Sequence, residues 1–166
     1  TLTQRCFGLL VLALVALGGC ASDEEKKLEH FNKGQAYFDN GEYKKAQLEY
    51  KNAVQIDPRY AEAQLQLAKT EAELGNVRES YQAYMRVAEL EPGNLEAQVV
   101  LAKFHLLAQK PDEARQKVDR VLENDPHNTE ALLVLAELQN QDGQPEAAIE
   151  SFRRIIAVDP KHDKAH

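Results

Sequence analysis

Apolar residues return along this chain at helical spacing, in short blocks parted by polar turns. Ala46, Tyr50 and Ala53 stand four and three residues apart, which puts them on one face of a helix. Asn40-Gly41 before this block is a strong turn signal, and Asp57-Pro58 ends it, because the residue before proline avoids the helical region. The same plan recurs with turns at Gly75-Asn76, Gln109-Lys110-Pro111 and Asp142-Gly143. The pattern predicts an all-α chain with helices at about 24–39 and 43–56, 61–74 and 77–90, 95–108 and 112–124, and 129–141 and 145–158. Ser22-Asp23-Glu24-Glu25 fits a capping box ahead of the first helix.

The blocks keep time. Asp57-Pro58, Glu91-Pro92, Asp125-Pro126 and Asp159-Pro160 each follow the last by 34 residues. A fixed period of this size marks a stacked repeat of helix pairs. On that register small residues recur at Gly34, Ala68, Ala102 and Ala136, and again at Ala46, Ser80, Ala114 and Ala148. Larger ones recur at Tyr50, Tyr84, Val118 and Phe152. Small residues let the two helices of a unit approach, and large ones fill the space towards the next unit.

This arrangement resembles the tetratricopeptide signature, a tryptophan, leucine, glycine and tyrosine on the first helix, then alanine and phenylalanine, then proline. The first unit matches at Gly34, Tyr37, Ala46, Tyr50, Ala53 and Pro58, and departs at His30 and Lys33. The resemblance implies an α-solenoid of antiparallel helix pairs: repeat one at 27–60, two at 61–94, three at 95–128 and four at 129–162. Asp163-Lys164-Ala165-His166 aligns with the opening of each earlier unit, so residues 163–166 are expected to start a fifth repeat. Phe152 and Ile156 would then face that further repeat, since a stack needs a polar cap at its end.

The first twenty residues are a separate object. Arg5 is followed by an apolar run from Phe7 to Leu17, then by Gly18-Gly19-Cys20 and an abrupt polar stretch. A basic start, a short apolar core and small residues form a secretory signal. Leu17-Gly18-Gly19-Cys20 resembles the bacterial lipobox, which implies removal of 1–19 and acylation of Cys20. Residues 20–26 are then a lipidated N-terminus leading into the first helix, and the acyl chains provide the membrane anchor. Ala21, where aspartate marks inner-membrane retention, leans the expectation towards the outer membrane, with the repeats in the periplasm. Cys6 lies in the removed segment, so the mature domain would hold no disulfide.

Charge and composition narrow the partners. A formal net charge of −7 argues against nucleic acid, which needs a surplus of Lys and Arg. No phosphate loop or nucleophile elbow occurs. The histidines His30, His105, His127, His162 and His166 show no paired ligand spacing; His162 and His166 stand at i, i+4 only at the chain's end. The expectation is no enzyme, no cofactor and no metal.

What remains is a protein-binding surface. On the family's pattern the first helices of successive units line a concave groove that holds peptides. Here the groove strip reads Phe31, Gln35, Phe38; Leu65, Lys69, Ala72; Val99, Lys103, Leu106; and Leu133, Glu137, Asn140. Phe31 and Gln35 replace the lysine and asparagine of the family's carboxylate clamp, so a chaperone-tail clamp is not expected. Lys69 and Lys103 are expected to meet an acidic group on a bound peptide. The combination resembles tetratricopeptide lipoproteins associated with exopolysaccharide export and the PEP-CTERM/exosortase system. It implies a lipid-anchored scaffold in envelope assembly. Alternatives are a pilotin-like assembly factor for a type IV pilus or secretin, and the recruiting arm of a larger envelope enzyme.

Overall fold

The computed structural model describes residues 23–159. Ser22, the expected capping serine, and Cys20 with its signal segment lie outside them, as do residues 160–166. The described residues form eight helices and no strand: α1 (23–39), α2 (Tyr43–Ile56), α3 (Ala61–Glu73), α4 (Val77–Leu90), α5 (Leu95–Leu107), α6 (Pro111–Asn124), α7 (Thr129–Gln141) and α8 (Pro145–Val158). Their ends fall within a residue of the pattern-based expectation.

Turn chemistry explains the boundaries. α1 closes with two bonds, Gly41 N–H to the Phe38 carbonyl (2.9 Å) and Glu42 N–H to the Tyr37 carbonyl (2.8 Å). This is a Schellman cap, which needs a residue in the left-handed region. The same pair of bonds recurs at Gly75 and Asn76, at Gln109 and Lys110, and at Gly143 and Gln144. At the acid-proline turns Asp57 Oδ1 accepts from Arg59 N–H (2.9 Å) and Asp125 Oδ1 from His127 N–H (3.1 Å). The Asn94 and Asn128 side chains then cap α5 and α7 by accepting from Ala97 and Ala131 N–H, each at 3.0 Å. Pro111 and Pro145 sit in the first turns of α6 and α8, where no N–H is missed.

The chain divides into two compact units within α4, between Ala83 and Tyr84. In the first, Ala46, Tyr50 and Leu67 form a buried cluster with Phe31, Tyr37, Phe38 and Val54 packed against it. Gly34 lets α1 and α2 close: a Cβ there would lie 2.7 Å from two ring carbons of Tyr50. In the second, Val99, Ala102, Ala114, Val118, Val121, Ala131, Val134 and Leu138 make one core. Leu132 and Ile155 make an adjoining cluster, flanked by Phe152 and Ile156. Burial pushes the Tyr84 hydroxyl up to about 12.

A carboxylate is also buried. Glu71, 1% exposed, stands at the register of the signature tyrosine Tyr37. It accepts from Gln47 Nε2 (2.8 Å) and Asn76 Nδ2 (2.7 Å) and pairs with Lys51 Nζ (2.9 Å). Burial pushes its carboxyl up, yet the bonds from Asn76, Lys51 and Gln47 outweigh this and hold it below the usual carboxylate range. α2 and α3 are thereby tied by a satisfied polar group in place of a tyrosine.

Candidate protein-binding cleft

The expected strip is two different things in the two units. In the first unit its aromatics are occupied. The Phe31 ring lies 5.8 Å from that of Tyr50 and 5.2 Å from that of Tyr60. Phe38 meets Tyr43 edge-on at 5.3 Å. Gln35 donates to Asp39 (2.8 Å) and accepts from the Tyr50 hydroxyl (3.4 Å). Leu65 and Lys69 are half-buried, and Ala72 is exposed. Phe31 and Phe38 therefore cover the core of their unit more than they offer a surface. Tyr60, which the sequence reading did not single out, completes this cover with Lys27 Nζ 4.7 Å from its ring centre.

In the second unit the strip opens into a cleft of about 880 Å³. Lys103 and Leu106 come from α5, and Leu133, Glu137 and Asn140 from α7, all as the register placed them. Phe152 of α8 joins them, with Leu107 and Gln109 at the end of α5. Leu107 is 82% exposed, the most open large apolar side chain of those described. It sits at a register held elsewhere by Asp39, Glu73 and Gln141, and that apolar-for-polar exchange is the signal that would have found it.

Two expectations need correction. Val99 shares the register of Phe31, Leu65 and Leu133, but it is only 5% exposed. Its short branched side chain ends inside the core, among Ala102, Val134 and Leu138. Lys103 is not a free cation for an acidic ligand either, since its amine pairs with the carboxylate of Glu130. Glu137, by contrast, is exposed and makes no hydrogen bond or ion pair among the described residues. The cleft thus joins an apolar wall to one uncompensated carboxylate.

No helix among the described residues is long and apolar enough to cross a membrane, and none of their His, Cys, Asp and Glu side chains form a group of three able to hold a metal. Burial holds the His105 imidazole below its usual range, with Glu113 opposing.

Comparison with known proteins matches this architecture. A tetratricopeptide repeat family model matches twice, at residues 73–126 and 105–166, and a second such model matches 34–75. A search of curated proteins finds no match. Solved structures share the fold. MamA from Desulfovibrio magneticus RS-1 is 21% identical with a TM-score of 0.74, over 85% of this chain and 80% of that one. YrrB, described as a tetratricopeptide protein with an unusual peptide-binding site, is 20% identical with a TM-score of 0.71, over 82% and 70%. Pseudomonas aeruginosa pilF is 18% identical with a TM-score of 0.69, over 87% and 66%. With the period of the turns, the helix pairs and the matched residues in agreement, the chain belongs to the tetratricopeptide repeat family.

Proposed function

We propose that this chain is a lipid-anchored scaffold facing the periplasm, which holds partner proteins in its repeats during envelope assembly. The observation that carries the binding role is the second-unit cleft, where Leu106, Leu107 and Leu133 form an apolar wall without a cover among the described residues. An apolar surface rimmed by polar groups is characteristic of a partner site. The peptide-binding site named for YrrB supports the reading by analogy of fold. The anchor rests on Leu17-Gly18-Gly19-Cys20 alone. The finer assignment, a scaffold of exopolysaccharide export and PEP-CTERM/exosortase sorting, rests on the sequence resemblance.

The test is a crosslinking pulldown from membranes of cells expressing the wild type or Leu107→Ser. Leu107 is exposed, so its loss leaves the core intact. The variant is expected to lose partners that the wild type captures, and equal capture would remove the cleft from the reading. Cys20→Ser is expected to shift the protein from the membrane to the soluble periplasmic fraction. The alternative reading is a pilotin-like assembly factor for a type IV pilus or secretin. It predicts a secretin-type ring protein among the crosslinked partners.

A further inference from the structure

We infer that the second-unit cleft takes a cationic amphipathic segment, a helix or strand with two or three large apolar side chains flanked by Lys or Arg. This rests on the scaffold reading and adds the chemistry of the partner. The argument is one of charge and shape within one unit. The cleft is lined by one cation, Lys103, and two carboxylates, Glu130 and Glu137. Lys103 and Glu130 neutralise each other. Glu137 is left exposed and unpaired beside Leu133, on the same helix. The surplus charge of the site is therefore negative.

The register shows that this is local. The positions equivalent to Glu137 are Gln35, Lys69 and Lys103, so the sign reverses only in the last described helix pair. An acidic peptide would bring its carboxylate against Glu137 and would have to break the Lys103–Glu130 pair to find a cation. A basic peptide meets Glu137 directly and leaves that pair whole. Lys and Arg also carry long aliphatic stems, which can lie along Leu106, Leu107 and Leu133 while the charged head reaches Glu137. The chain's net charge of −7 attracts the same partner at longer range, to the extent that salt allows.

The probe is a labelled amphipathic helical peptide with Leu at i, i+4 and i+7 and Lys beside them, compared with the same peptide carrying Glu in place of Lys. Binding to the full chain is read by fluorescence anisotropy at low and physiological salt. The Lys peptide is expected to bind about tenfold tighter than the Glu peptide, with the gap narrowing as salt rises. Glu137→Lys, on an exposed position, is expected to reverse the order, and Leu107→Ser to weaken both peptides. Equal affinities, a preference for the Glu peptide, no binding by either, or an unchanged order in Glu137→Lys each overturn the inference. Tight binding of the Glu peptide that Leu107→Ser weakens would overturn the charge assignment alone and leave the binding cleft standing.

Discussion

Gly34 sets how closely α1 and α2 approach. The Tyr50 ring fills the space where a Cβ would stand, and that ring is itself fully buried. Burial keeps the ring from yielding, so an added methyl group strains the pair. Overpacking of this kind costs about 1–3 kcal/mol, against which alanine returns about 1 kcal/mol of helix propensity. Gly34→Ala is therefore expected to destabilise the protein by about 1 kcal/mol, read as a lower urea midpoint at constant slope. Ala68, Ala102 and Ala136 occupy the same register without glycine. The register of these small residues was legible from sequence because size is a property of the residue. Whether a side chain reaches the surface was not. Phe31 and Val99 share one register, yet one is half-buried and the other nearly sealed, because reach depends on the length of the side chain and on what packs beside it.

Elements in this fold are delimited by two kinds of turn, and each repeats with its own chemistry. The acid-proline turn was readable at once, since proline announces itself. Its satisfaction was not. Gln64 and Gln98 donate to the Pro58 and Pro92 carbonyls, whereas the Pro126 carbonyl is met by Arg154, because Leu132 stands where glutamine stood before. A long side chain from a different helix has replaced a short local bond, and no spacing rule foretells that. The Schellman turn offers a sharper case. Gly41, Gly75 and Gly143 have φ of 72°, 73° and 71°, and Gln109 holds the same place at 57°. A side chain in the left-handed region costs about 1–2 kcal/mol, partly offset because glycine gives the unfolded chain more freedom. Gln109→Gly is expected to raise stability by about 1 kcal/mol and leave the helix content unchanged. Thermal unfolding followed by circular dichroism reads both. A neutral or negative effect would mean that Gln109, at the rim of the cleft, makes up its backbone cost through its side chain.

Across the described residues, His105, Asp57 and Glu71 each make stability fall as pH falls. His105 is held below the usual 6.5, first by burial. The unfolded chain therefore takes up its proton before the folded one does, and this contribution is complete above 6.5 and is lost as pH falls towards the folded value. Asp57 lies below the usual 3.8 because of the bond from Lys27 and then that from Arg59 N–H. Glu71 lies below the usual 4.5, its bonds to Asn76, Lys51 and Gln47 prevailing over burial. For both carboxyls the stabilisation is present above the unfolded value and is lost as pH falls through the folded one. Asp57 is the smaller contributor, since its side chain is 37% exposed and water screens its pair with Lys27. Glu71 dominates the acid limb because it is buried and bridges two helices and a turn. Acid unfolding should then proceed in two stages, a shallow decline beginning near 6.5 and a steeper one below 4.5. His105→Gln places at this register the residue that Gln139 already supplies in the next repeat, and is expected to flatten the first stage only. Glu71→Gln keeps the shape, loses the charge-assisted bond to Lys51, and is expected to cost about 1–2 kcal/mol at neutral pH. It should also flatten the second stage. Urea unfolding at a series of pH values reads both slopes. An acid limb in Glu71→Gln as steep as in the wild type would place the controlling carboxylate elsewhere in the stack.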